Sequence, residues 1–154
     1  MATFFRNLIN KLQAKRYRYQ GFYPANIQGY DLKLNYEDLN FWKEASTGEW
    51  EPETFNVLSQ FLTPTSTYID VGGWIGPTVI YAAKKCEKVI CFEPDPIAFH
   101  RLSTNILLNK LDNVSVYNIA VSDHSSIQKM SSNGGHLGDS MTSLLSNNNT
   151  SSLS

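Results

Sequence analysis

One stretch, Tyr68-Ile69-Asp70-Val71-Gly72-Gly73-Trp74-Ile75-Gly76, constrains this chain more than any other. β-Branched and aromatic residues favour a strand up to Val71, and the glycines then allow a tight turn in which backbone can approach a ligand. A second apolar run follows and ends in Phe92-Glu93-Pro94-Asp95-Pro96. An acid about 20 residues beyond a glycine turn, at the end of the next strand, is the arrangement that grips ribose hydroxyls in a nucleotide cleft.

The surrounding pattern supplies the elements such a cleft needs. Thr67–Val71 reads as the first strand, residues 77–85 as a helix with Val79, Ile80 and Ala83 for the sheet, and Lys88–Phe92 as a central strand buried on both faces. Asp95 is placed to cap a long helix with Pro96 in its first position. Phe99, Leu102, Ile106 and Asn109 keep helical spacing along it, and residues 114–121 read as a third strand. Three βα units in succession imply right-handed crossovers and a parallel sheet with helices on both faces, an α/β fold.

Upstream, Tyr30, Leu32 and Leu34 alternate with polar residues, which suggests a hairpin or edge strand. Glu51-Pro52-Glu53 opens a helix with Phe55, Leu58 and Leu62 on its apolar face, and Thr63-Pro64 stops it. At the N-terminus Phe4, Phe5, Leu8, Ile9 and Leu12 share one helical face, while Arg6 and Asn7 interrupt what would be the apolar core of a signal peptide. The net charge of −1 hides an asymmetry: residues 1–30 carry five cations and no acid, leaving −6 for the rest. That acidic remainder argues against a nucleic-acid partner. A basic amphipathic helix suits either an anionic membrane surface or docking on its own domain or a partner subunit, and docking is favoured. No apolar run approaches the ~20 residues of a membrane span.

The chain therefore divides into a basic N-terminal helix (1–20), a hairpin and helix extension (21–66), a cleft-bearing domain (67–130) and a tail (131–154). Nine of the last fifteen residues are Ser or Asn, too little apolar surface to offset the entropy of ordering. Cys86 and Cys91 read as two buried thiols, with no disulfide framework and no metal spacing. His100, His124 and His136 read as surface or packing residues rather than as a catalytic base, and no catalytic residue is assigned.

The glycine positions discriminate between cofactors. A dinucleotide fingerprint starting at Gly72 needs glycine at 74 and 77, where Trp74 and Pro77 stand. Pro77 also lacks the N–H that would hold a phosphate. What remains, Asp70-x-Gly72-Gly73-x-x-Gly76, places a carboxylate where a positively charged ligand fits better than a pyrophosphate. An NAD-binding oxidoreductase is accordingly the poorer reading.

At these residues the chain resembles the class I S-adenosylmethionine-dependent methyltransferases, and among them the FkbM family. The resemblance rests on Ile69 to Gly76, on Phe92-Glu93-Pro94-Asp95-Pro96, on Leu102 with Asn105-Ile106 and Asn109, and on Ala120-Val121-Ser122-Asp123. Gly48-Glu49-Trp50-Glu51-Pro52-Glu53 is similar to the segment that precedes the cofactor loop in that family. The order is colinear over about residues 21 to 145.

The resemblance implies a Rossmann-like class I methyltransferase fold, truncated after about the third parallel strand, because no Lys-Ile-Asp-x-Glu-Gly segment follows. It implies S-adenosylmethionine as cofactor. Asp70 would reach the methionine amino group, Gly72, Gly73 and Gly76 would line the methionine and ribose, Glu93 would accept the ribose hydroxyls, and Ala120 would lie against adenine. Trp74 and Pro77 depart from the family pattern, and Trp74 either narrows the pocket or packs outward. The implied activity is O-methylation of a hydroxyl on a sugar, glycan or natural-product-like small molecule, in the cytoplasm or at the membrane surface through residues 1–18. The alternative is a non-catalytic adenosyl-binding or scaffolding remnant. The missing strands predict an exposed edge at Thr67–Val71, hence self-association and no methyl transfer by the chain alone.

Overall fold

The computed structural model describes residues 2–125, 130–132, 138 and 142–144. Helix α1 (Ala2–Gln20) ends at Gly21, whose left-handed backbone (φ 81°) lets its N–H return to the Tyr17 carbonyl at 2.9 Å. Strands β1 (Tyr23–Ile27) and β2 (Tyr30–Leu34) pair antiparallel around Gln28 and Gly29, both with positive φ as a two-residue primed turn requires. Ala25, Ile27, Leu32 and Leu34 face the core while Asp31 and Lys33 face water, the alternation expected. Asn35 caps a short 3-10 turn, Tyr36–Asp38, which leads into α2 (Leu39–Ala45). Helix α3 (Pro52–Phe61) buries Phe55 against the core, with Leu58 and Leu62 packed beside it.

The second half is a βαβαβ unit: β3 (Thr67–Val71), α4 (Pro77–Ala83), β4 (Lys88–Phe92), α5 (Pro96–Leu108) and β5 (Val114–Tyr117). The strands are parallel in the order β3-β4-β5, with Asp70 opposite Cys91 and Val71 opposite Phe92. This is the α/β, Rossmann-like arrangement, carried through its third parallel strand. Asp95 caps α5 by accepting from the Ile97 and Ala98 N–H groups, with Pro96 at the first helical position.

Two expectations need correction. Helices on both faces of the sheet are not seen among the described residues. The strands step in one direction, so two right-handed crossovers place α4 and α5 on the same face. That face buries Val89 and Cys91 completely; on the other, Ile69 and Val71 remain 60% and 62% exposed. The central strand β4 is therefore covered on one side, with Ile90 and Phe92 only half-buried on the other. The third strand also stops at Tyr117 instead of running on to 121. Asn118 leaves the ladder and donates its side-chain amide to the Glu93 and Pro94 carbonyls at 2.8 and 3.1 Å.

The Ser/Asn-rich tail lies mostly outside the described residues. Within it, β6 (Met130–Ser132) and β7 (Thr142–Leu144) nonetheless pair antiparallel, which composition did not predict.

The hairpin is fastened to the βαβαβ unit by two asparagines, one within α5 and one just beyond it. Asn105 is fully buried; its Oδ1 accepts from the Asn35 N–H at 2.6 Å and its Nδ2 donates to the Ile75 carbonyl at 2.9 Å. Asn109, just past α5, accepts from the Lys33 N–H and donates to the Lys33 carbonyl, as a neighbouring strand would.

Candidate functional site

The C-terminal ends of β3 and β4 bring Asp70, the glycine turn and Glu93 together, where an open parallel sheet places its ligand crevice. Gly72 and Gly73 both direct their N–H groups at the Phe92 carbonyl, at 2.8 and 3.4 Å, so the turn is pinned to the end of β4. The three glycines then serve different ends. Gly72 has φ 87° and open space where a Cβ would stand, so no side chain packs against it there. At Gly73 a Cβ would collide with Cys91 Sγ and press on Val79, and at Gly76 it would collide with Leu102. These two are glycines because β4 and α5 pack against them.

Glu93 is 5% exposed and both of its oxygens are engaged. Oε2 accepts from the Trp74 N–H and Oε1 from the Asp95 N–H, each at 2.7 Å. Each carboxylate oxygen has two lone pairs, so one acceptor position per oxygen remains, the number a ribose diol would use. Burial raises the Glu93 pKa, the two backbone donors oppose that rise, and the charges of Asp95 and Asp70 add to it.

Asp70 is half-buried, and its Oδ2 accepts from the Thr78 and Tyr68 hydroxyls at 2.7 and 3.1 Å. Burial, with the Asp70 charge beside it, raises the Tyr68 pKa well above its ordinary value. Cys91, under the same acids, is pushed up to about 12, chiefly by burial, so it is a packed thiol and no nucleophile. Among the described residues no Lys, Arg or His forms an ion pair with Asp70 or Glu93. Among the described residues the crevice thus carries two carboxylates with no ion-paired cation.

Trp74 takes a left-handed backbone (φ 48°) and packs inward. Its ring meets Phe41 edge-on at 4.6 Å, and Phe41 meets Trp50 at 5.1 Å. Trp50 in turn contacts Phe55, which contacts Tyr81. The indole Nε1 donates to the Gly138 carbonyl at 2.9 Å, while the Gly138 N–H donates to Asp95 Oδ2 at 2.6 Å. Gly138 therefore spans Trp74 and Asp95 at the edge of the crevice, a contact the sequence did not signal.

Ala120 stands three residues beyond the end of β5 and is half-buried, past the point where Asn118 bonds the Glu93 and Pro94 carbonyls. His100 and His124 are exposed, His124 paired with Asp123, and His136 lies outside the described residues. A shallow depression of about 440 Å³, lined by Thr67, Glu87, Lys88, Asp112, Asn113 and Ser115, sits at the opposite end of the strands.

No known family model matches the chain, and no curated protein matches it. Solved structures do resemble it. A tRNA m1G37 methyltransferase of M. jannaschii is 22% identical, covering 66% of this chain and 30% of that one, with a TM-score of 0.46. M. jannaschii TYW2 in complex with AdoMet is 25% identical over 62% of this chain and 42% of that one, with a TM-score of 0.45. An rRNA methylase of Streptococcus thermophilus is 18% identical over 44% of this chain and 41% of that one, with a TM-score of 0.42. The chain thus spans between 30% and 42% of the length of these three proteins. Among the described residues no helix is long and apolar enough to cross a membrane.

Proposed function

We propose that this chain carries the S-adenosylmethionine-binding part of a methyltransferase. The observation that supports it best is the pair of carboxylates, Asp70 and Glu93, flanking an open glycine turn with no described cation to neutralise them. S-adenosylmethionine has an ammonium, a sulfonium and a ribose diol, and it lacks the phosphates such a site would repel. Gly72 presents bare backbone to the ligand, Glu93 takes the diol, and Asp70 takes the ammonium. When bound, the cofactor supplies an electrophilic methyl carbon; the residues here orient it and exclude alternatives. NAD is disfavoured because Trp74, packed on Phe41, and Pro77 stand where a dinucleotide needs glycine.

The FkbM resemblance suggests a hydroxyl acceptor on a sugar-like molecule. Two of the solved structures above are described as a tRNA m1G37 methyltransferase and an rRNA methylase, and they lend that acceptor no support. The proposal therefore stops at methyl transfer from S-adenosylmethionine. Isothermal calorimetry with S-adenosylmethionine and with NAD tests it: binding of the first and not the second is expected, and tighter binding of NAD would overturn it. A methyl-transfer assay on the same sample separates an enzyme from a non-catalytic adenosyl-binding remnant.

A further inference from the structure

The support behind Asp70 is more specific than a strand-end acid requires. Tyr68 and Asp70 stand two residues apart on β3 and so project to the same face of the sheet. Thr78 lies in the first turn of α4, which the glycine turn folds back over that face. Both hydroxyls donate to one and the same carboxylate oxygen, Oδ2, at 3.1 and 2.7 Å. Oδ1 receives no hydrogen bond among the described residues.

We infer that Tyr68 and Thr78 are positioning residues which clamp Oδ2 of Asp70 and so present Oδ1 to a ligand ammonium, making the crevice selective for adenosyl ligands that carry an amino acid moiety. This rests on the adenosyl reading of the site. The terminal torsion of an aspartate is intrinsically broad, so an unsupported carboxylate at a crevice wall would sample many orientations. Two donors on one oxygen remove that freedom. Both donors are neutral, so they leave the negative charge in place where a lysine or arginine would cancel it. The free oxygen can only accept, which favours an ammonium over a hydroxyl or a second acceptor. The Tyr68 phenol is held protonated by burial and by the Asp70 charge, and it therefore acts as a donor at all ordinary pH.

The test compares two ligands that differ only in this moiety. S-adenosylhomocysteine carries the amino acid, and methylthioadenosine retains the nucleoside and sulfur without it. Calorimetry on the full chain should show wild type preferring S-adenosylhomocysteine. Thr78→Val and Tyr68→Phe should each cut that preference by about fivefold to tenfold while leaving methylthioadenosine affinity within about twofold, as expected for one lost hydrogen bond. Thr78→Ser, which keeps the hydroxyl, should restore the preference, an outcome that a packing role for the threonine methyl would not give. If Thr78→Val does not fold, as judged by thermal melting, Tyr68→Phe carries the same comparison with the ring in place. An unchanged preference in the variants, or none in wild type, overturns the inference and leaves the adenosyl site standing. A wild-type chain that binds neither ligand overturns both.

Discussion

The Trp74 backbone N–H donates to Glu93 Oε2 at 2.7 Å, tying the turn after β3 to the acid that ends β4. The second oxygen of Glu93 holds the Asp95 N–H and so the start of α5. One buried carboxylate thus organises both walls of the crevice before any ligand arrives. Glu93→Ala leaves those two N–H groups without their acceptor, at about 1–3 kcal/mol of stability for each buried donor that water cannot reach. The same change removes the ribose acceptor, so ligand affinity should fall together with the melting temperature. A variant that melts with wild type and binds equally well would place the ribose site elsewhere.

The elevated pKa of Glu93 has a consequence with a definite sign. Its charged form is disfavoured in the fold relative to the unfolded chain, where the value is about 4.5. Stability from this group is therefore unaffected well below that value and falls as pH rises through the window from there to the higher folded midpoint. Asp38, raised by burial against the opposing Arg101 charge, acts in the same direction from 3.8 upward. A cationic ligand favours the ionised Glu93, so its affinity should rise with pH through the same window. Urea unfolding between pH 4 and 7 should show the loss in wild type and a flatter profile in Glu93→Gln; an equally steep profile in the variant would assign the effect to other groups.

Asn105 illustrates what the sequence conceals. As a polar residue at a helical position it carries no mark of burial, yet it is fully enclosed and bonds the Asn35 N–H and the Ile75 carbonyl at once. Asn105→Ala strands two buried backbone groups and should cost about 2–5 kcal/mol, with Asn105→Asp recovering only the acceptor half. Chemical denaturation measures this directly. A loss under 1 kcal/mol would mean that the hairpin is held by other contacts.

The punctuation of the chain was legible because glycine, proline and aspartate act through local backbone rules: Gly72, Pro77, Asp95 and Pro96 stand where turn, helix start and cap were expected. Thr67–Val71 and Lys88–Phe92 were legible as strands from their apolar runs. What stayed hidden depends on partners distant in sequence. Whether a strand is covered on one face or two is decided by strand order, and no pattern within β4 reveals it. Gly73 and Gly76 read like ligand-facing glycines, but they answer to Cys91 and Leu102. Trp74 takes its direction from Phe41, 33 positions earlier in the numbering, which no local pattern around Trp74 signals.

The division among the glycines can be tested one at a time. Gly73→Ala must displace Cys91 or Val79 in a packed core and should cost about 1–3 kcal/mol. Gly76→Ala meets Leu102 and adds the strain of a left-handed backbone, so it should cost at least as much. Gly72→Ala meets nothing and bears only the strain of its positive φ, about 1–2 kcal/mol. Its ligand affinity should nevertheless fall furthest for a given loss of stability. Thermal melting beside calorimetry on the three variants would decide it, and equal melting of Gly73→Ala and wild type would contradict the packing role.

Helix α1 is fixed at its end by Tyr17, edge-on to Tyr23, and by Gln20, which donates to the Phe22 carbonyl. Phe5 and Leu12 are more than half exposed. With five cations and no acid in residues 1–30, the membrane-surface alternative for this helix predicts salt-sensitive sedimentation with anionic vesicles. Deleting residues 1–16, which spares Tyr17, should abolish it. Equal sedimentation of the shortened chain would leave α1 as a packing element only.

The uncovered face of the sheet supplies the last test. Ile69 and Val71 on β3 are 60% and 62% exposed, and Tyr117 on β5, stacked on Phe92, is 49% exposed. Ile119 and Val121, just beyond β5, add further exposed apolar surface. Strand β3 is also an edge among the described residues, with one row of backbone N–H and C=O groups unpaired by any strand. An apolar face beside an open edge favours association with other chains. A lysine at position 69 would place a charge in the middle of that face without touching the crevice or the buried side of the sheet. Light scattering across a concentration series should therefore show wild type self-associating and Ile69→Lys shifted toward monomer. If wild type remains monomeric throughout, the face is stable in water as it stands, and the argument from its exposure fails.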